Sequence, residues 1–338
     1  MENKMTLKRA VYLIVFIIIV LCVIISGGLL FSPKNNTRKA GMHIARARGF
    51  YGEKKNTIQV LGLGNSDLFY ALNPLWMYRD QGFTSFMASE ELQTTVKAHK
   101  LFTDFLKTQS PKLVVIETNE FFLRPGTFEF NELIKSKINE YLPMTQYHTR
   151  WKSLNKQDFT LKKLKNRPTV YKGFKFHTRR VKFNPASYCD EATIDTMDPI
   201  DAYYLDKIMK ICKEKGIQVL FMTAWAPADW SKKRSIKSAR IAKKYGVNYL
   251  DFNDKKLIKE AGLTSGLDGQ PSDFKDYGSH MNYWGAQKMS DYVGKYIAKN
   301  YHLKDVRKNP DYASWNRDLA IFEGNAKARL KEVKRKRK

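Results

Sequence analysis

Two residues far apart in the chain carry groups that together could move an acyl group. Ser66 lies near the end of the run Ile58-Gln59-Val60-Leu61-Gly62-Leu63-Gly64-Asn65-Ser66-Asp67, an apolar stretch that finishes in two glycines and a polar tip. A serine hydroxyl is a poor nucleophile until a base removes its proton. Of the six histidines, only His280 stands in a stretch of matching character, Asp273-Phe274-Lys275-Asp276-Tyr277-Gly278-Ser279-His280-Met281-Asn282-Tyr283-Trp284-Gly285. A carboxylate bonded to the far ring nitrogen of such a histidine would orient it and support its positive form. His43, His99, His148, His177 and His302 lie in helical or basic surroundings and read as surface or packing residues. Ser66 alone would equally serve as a helix N-cap, so the chemistry depends on both stretches reaching one place.

The elements that would bring them together are those of an α/β sheet. After the strand-like run, Leu68, Phe69 and Leu72 begin a helical periodicity, which puts Ser66 at the carboxyl end of a strand and in the first turn of a helix. Ligands of open α/β sheets sit there, and the N–H groups of a helix start favour a developing negative charge. The Ser66 and Asp67 amides are therefore candidate oxyanion donors. Further on, the spacing predicts a helix over 89–107, a strand over 112–117, a helix over 201–215 and a strand over 217–222. A helix over 232–245, a strand over 247–252 and an amphipathic helix bearing Met289, Tyr292, Val293, Tyr296 and Ile297 follow. Such alternation implies a mostly parallel sheet covered on both faces. The interval from about 121 to 199 breaks the rhythm and reads as an insertion, and residues 330–338 read as a frayed basic tail.

The pair of blocks, Gly-Asn-Ser-Asp at 64–67 and Asp…His-Met-Asn-x-x-Gly ending at Gly285, resembles the first and last blocks of the SGNH (GDSL-type) hydrolase superfamily. Within it the chain is most similar to a membrane-anchored, extracytoplasmic branch of Gram-positive bacteria that includes DltD-like proteins and surface-polysaccharide O-acetylation proteins. The resemblance spans roughly residues 57–300 and implies a three-layer α/β/α fold with Ser66 as nucleophile and His280 as base. It places the orienting aspartate three residues before the histidine, where Tyr277 stands; Asp276 is four before and Asp273 seven before. A triad through Asp276, with Gly278 letting the loop bulge, and a Ser66–His280 dyad both remain open. The resemblance also implies oxyanion donors from two further blocks. Asn119 matches one by position, while Phe86-Met87-Ala88-Ser89 supplies no glycine for the other. Asp67 directly after the serine resembles the acidic residue that follows the serine in DltD-like proteins, whereas Asn73-Pro74 departs from their His-Pro.

The remaining features concern location and partners. Residues 10–31 are apolar and uncharged, long enough to span a bilayer, and longer than an ordinary signal-peptide core, so an uncleaved anchor is expected over a cleaved signal at Ser26-Gly27-Gly28. Basic residues crowd both ends of this segment, and it is the resemblance that puts the domain outside the cell. The domain plan is thus a cytoplasmic 1–9, an anchor over 10–31, a linker over 32–56, an SGNH-like domain over 57–303 and a basic helix or tail over 304–338. Besides Cys22, only Cys189 and Cys212 occur, so that the domain holds at most one disulfide. The net charge is +27, and beside a membrane anchor it points to anionic cell-surface polymers or lipid rather than nucleic acid. The run from Arg150 to Lys182 interleaves cations with aromatics, which makes Lys162, Lys163, Lys165, Lys172, Arg179 and Arg180 candidate polymer contacts. No metal-ligand spacing, P-loop or dinucleotide fingerprint is present, and no cofactor is implied. Three functions fit: acyl transfer or ester hydrolysis on a surface glycopolymer beside a membrane-bound O-acyltransferase, DltD-like D-alanylation of teichoic acid, or a non-catalytic polymer-binding module.

Overall fold

A computed structural model describes residues 7–122, 126–160, 162–187 and 195–335. Lys4 of the N-terminal flank, Cys189 and residues 336–338 of the tail lie outside the described residues. The chain divides into two compact units, Met1–Ala45 with Asn131–Asn166, and Arg46–Phe130 with Arg167–Lys338.

In the first unit, α1 (Leu7–Phe31) is an uninterrupted helix of 25 residues with no buried side chain. It is long and apolar enough to cross a membrane. Its last carbonyls, which have no partner within the helix, are met by cations. Lys34 Nζ donates to Leu29 O and Arg150 to Phe31 O, both at 2.7 Å. Arg150 is itself buried and ion-paired with Asp158.

The second unit carries a sheet of five parallel strands, β1 (Val60–Gly64), β2 (Ser85–Ser89), β3 (Leu113–Glu117), β4 (Gln218–Thr223) and β5 (Asn248–Asp251). Their order is β2-β1-β3-β4-β5. Every residue of β1, β2 and β3 is buried, as expected of a parallel sheet flanked by helices. These helices are α2 (Ser66–Ala71), α3 (Pro74–Gln81) and α4 (Thr95–Phe105), then, after α5 (Thr127–Tyr141) and α6 (Pro143–Tyr147), α7 (Pro199–Lys215), α8 (Lys232–Tyr245), α9 (Lys255–Glu260), α10 (Tyr283–Asn300) and α11 (Ala313–Arg335). The chain leaves β1 toward one edge and returns for β3 on the other side of β1. The switch point, where such sheets bind ligands, therefore lies between the carboxyl ends of β1 and β3. Close strand packing requires glycine in β1: a Cβ on Gly64 would stand 2.5 Å from Glu117 Cβ, and one on Gly62 would strike Met87 Sδ.

Four expectations change. Residues 85–89 form a strand and the helix expected from 89 begins only at Thr95, capped by Thr94 Oγ1. Ser-Phe-Met-Ala-Ser has little β-branched character of its own, and its pairing with β1 decides its state. Ordered packing begins upstream of 57, because Phe50 is fully buried with its ring centroid 5.1 Å from that of Phe105. The tail is helical as far as Arg335, held by a buried stripe at Trp315, Asp318, Phe322 and Ala326. The interval 121–199 is shared out, with 131–166 in the first unit and its flanks in the second.

Candidate active site

Ser66 is the first residue of α2, and Asn65 caps that helix by accepting the Asp67 N–H at 2.9 Å. Its hydroxyl Oγ lies 2.8 Å from His280 Nε2, and His280 Nδ1 lies 2.7 Å from Asp276 Oδ2. Two stretches 214 residues apart therefore meet at the switch point.

The loop that presents the histidine is built from its own polar atoms. Asp276 Oδ1 accepts the N–H groups of Ser279 at 3.0 Å and His280 at 2.9 Å, and the Lys275 N–H donates to His280 O at 3.0 Å. Gly278 takes a φ of +124°, closed to most side chains. That extra turn is what carries Asp276, four residues before the histidine, to the imidazole. Asn282 then fixes the loop to α10: its Oδ1 accepts from the Trp284 and Gly285 N–H groups, and its Nδ2 donates to Ser272 O and Phe274 O. Asp273 is engaged elsewhere, with Oδ2 accepting from Lys288 at 2.7 Å and the Thr264 N–H at 2.8 Å. Burial pulls Asp276 upward, yet the hydrogen bonds and charge of His280, joined by Lys275, hold its carboxyl below the usual carboxylate range. Asp276 is thus an anion poised against the ring nitrogen.

A second carboxylate flanks the same histidine. Asp67 is buried, with Oδ1 3.7 Å from His280 Nε2 and Oδ2 accepting from Asn119 Nδ2 at 2.6 Å. Asn119 Oδ1 in turn accepts from Arg234 at 3.3 Å, and Arg234 also donates to Phe122 O at 3.2 Å. The Asn119 N–H donates to Glu117 Oε2 at 3.1 Å. Burial raises Asp67 to about 6 against the opposing pull of His280 and Asn119. Burial, then the charge of Asp67, pushes Glu117 well above its ordinary range. The Asn119 amide and the Asp67 N–H, both expected to serve an oxyanion, are thus engaged within the site. A buried carboxylate demands donors, and Asp67 takes the side-chain amide of Asn119.

The raised Asp67 has a measurable consequence. Its carboxyl binds a proton in the folded state at pH values where the unfolded chain has already released it, so folding stability falls as pH rises from about 4 to about 6. The stability of Asp67→Asn relative to the parent should therefore grow as pH rises through that window, by on the order of 2–3 kcal/mol from one end to the other. Thermal unfolding at a series of pH values checks this, and a difference independent of pH would contradict it.

Several further side chains adjoin the site. Tyr70 presents its ring 5.1 Å from that of His280, with Lys275 Nζ 4.3 Å from the Tyr70 ring and 3.0 Å from Asp276 Oδ2. Lys275 adjoins Asp276 and was legible by adjacency; Arg234, on a separate helix, gave no local signal. Asn73 is fully buried and caps α3, and Ser89, in the block without a glycine, is fully buried at the end of β2. Among the candidate polymer contacts, Lys162, Lys163, Lys165 and Arg179 are exposed, and Arg180 lies over the Trp284 ring at 3.6 Å. Lys172 is a correction. It is fully buried, its Nζ 2.8 Å from Glu53 and 2.6 Å from Asp318, because an interior ammonium persists only when paired; it cannot meet a polymer.

No protein-family model matches the sequence, and no curated protein matches it. Solved structures with a similar fold include a lipase/acylhydrolase from Enterococcus faecalis, at 12% identity over 73% of this chain and 99% of that one, with a TM-score of 0.37. Another is a GDSL-like lipase from Bacteroides thetaiotaomicron, at 13% identity over 71% of this chain and 88% of that one, with a TM-score of 0.35.

Proposed function

We propose that the second unit is a serine acyl-transfer enzyme of the SGNH kind, acting on an ester. One observation carries this reading, the unbroken chain from Ser66 Oγ to His280 Nε2 at 2.8 Å and from His280 Nδ1 to Asp276 Oδ2 at 2.7 Å. In the first half-reaction the Ser66 oxygen bonds to the acyl carbon while its proton passes to His280 Nε2. The ester C–O bond then breaks, and the leaving alcohol takes that proton. In the second half the hydroxyl of water or of a sugar attacks the acyl-serine, giving its proton to His280, and Ser66 is released on receiving it back. Asp276 keeps the ring in the tautomer that receives protons on Nε2 and supports its positive form between the two transfers.

The acceptor we propose is an anionic glycopolymer at the outer face of a cell membrane, modified by O-acetylation or a related reaction beside a membrane-bound O-acyltransferase. The resemblance of the two blocks supports it, as do α1, apolar and unburied, and the formal net charge of +27. The test is covalent labelling. A serine-reactive phosphonate, applied to the full-length protein in detergent, should add one adduct mass at Ser66, and Ser66→Ala and His280→Ala should abolish it without altering the unfolding temperature by more than a few degrees. An unlabelled parent protein, under conditions that label an active esterase, would remove the enzymatic reading.

A further inference from the structure

The second unit holds a cavity of about 450 Å³ between α3, the start of α10 and the end of α11. Three aromatic side chains form part of its lining, Trp76, Tyr283 and Phe322. Their ring centroids stand 5.1 Å apart for Trp76 with Tyr283 and 5.5 Å for Trp76 with Phe322, both edge to face. The opposite character comes from α11, whose Lys327, Lys331 and Lys334 line the same space. Its acidic lining residue, Glu323, is spoken for by Arg79 at 3.2 Å. Among the described residues the three lysines form no ion pair, whereas Arg329, on the same helix, is paired with Glu332 at 2.6 Å. The buried stripe of α11 ends at Ala326, and Leu330, one turn on, is only half buried and lines the cavity.

We infer that this cavity is a binding site for a glycan chain bearing repeated anionic groups, phosphate or carboxylate. Its volume is in the range of small-ligand sites. Amphipathic rings such as Tyr283 suit a ligand with both apolar and hydroxyl-bearing faces. The spacing of the cations selects a polymer over a single head group: from Lys327 to Lys334 the helix rises about 10 Å, so successive charges face successive anions rather than one. The ligand class rests on the glycopolymer reading above; the site itself does not depend on Ser66.

The experiment uses the full chain in phosphatidylcholine nanodiscs, with phosphorylated dextran, unmodified dextran and phosphatidylglycerol vesicles as probes. Phosphorylated dextran should bind and unmodified dextran should not. Replacing Lys327, Lys331 and Lys334 together by Gln should weaken that binding about tenfold, as expected from three partly exposed charge pairs. The same charge loss at Lys215, Lys243 and Lys299, which lie outside this cavity, should weaken it less than about threefold. Equal losses from the two triple variants, or no binding at all, would overturn the inference. So would retention of the vesicles, lost in the first triple variant, without binding of the phosphorylated dextran; the lysine wall would then belong to a lipid surface. Hydrolysis of a small neutral ester should be unchanged by either triple variant, which separates the two readings. An unlabelled Ser66 with intact dextran binding removes the enzyme and leaves the site, and a labelled Ser66 without dextran binding does the reverse.

Discussion

Replacing Ser66 with alanine is expected to lower ester turnover by roughly the 10⁶-fold seen when a serine protease loses its nucleophile, and adding His280→Ala should lower it little further. The reason is geometric. His280 Nε2 has Ser66 Oγ at 2.8 Å as its reaction partner, and once either atom is gone the other has no proton to exchange. The residual rate would come only from binding and from whatever donors face the oxyanion. Rates for the two single variants and the double variant, measured on one small ester, decide the matter. If the two losses multiply, Ser66 and His280 act independently and the proton-transfer chain is not the mechanism.

Asp276→Asn should cost about 10⁴-fold in turnover, the loss known for the corresponding change in a protease triad. The substitution leaves the loop's backbone bonds in place and removes the ionic contacts of the other oxygen, that of Lys275 at 3.0 Å included. Asn keeps a carbonyl oxygen where Asp276 Oδ1 accepts the Ser279 and His280 N–H groups, so the loop retains its turn. What disappears is the anion at Oδ2, 2.7 Å from His280 Nδ1. An amide nitrogen placed there would donate to Nδ1 and force the ring proton onto Nε2, the atom that must accept from serine. A loss below about tenfold would mean that the histidine is oriented without the carboxylate, and Asp67, 3.7 Å from Nε2, would become the residue to examine.

Much of this geometry could be read from the chain. The glycines and apolar run at 60–64 announce a buried strand ending in a turn, and Gly216 and Gly246 mark helix ends because each takes a left-handed φ there. Ser66 and His280 were legible because each sits in a local pattern whose backbone consequence is strong. The parts that were not legible depend on the fold rather than on neighbours in sequence. Strand β2 has no β pattern of its own and owes its state to β1. The engagement of Asn119 with Asp67 joins residues 52 apart, and Arg234 reaches Asn119 from 115 residues away. Lys172 looked like one more cation in a basic run. Only the positions of Glu53 and Asp318 make it an interior residue.

That interior ammonium also sets an order of events. Synthesis runs from the N-terminus, so Glu53 is already present when Lys172 is made, but Asp318 arrives 146 residues later. Until then the lysine can satisfy only one of its two anionic partners, and the Trp315 ring 4.7 Å from its Nζ is missing as well. Phe322, which packs against Trp76, Tyr171, Phe174 and Phe176, comes later still. Until α11 is made, the ionic centre and the aromatic cluster of the second unit therefore stay open, exposing apolar surface of the kind that draws chaperones. Closure waits for the last helix. A chain cut short before residue 313 would carry the residues of β1 to β5 and Ser66, Asp276 and His280, and would still lack the piece that completes its interior.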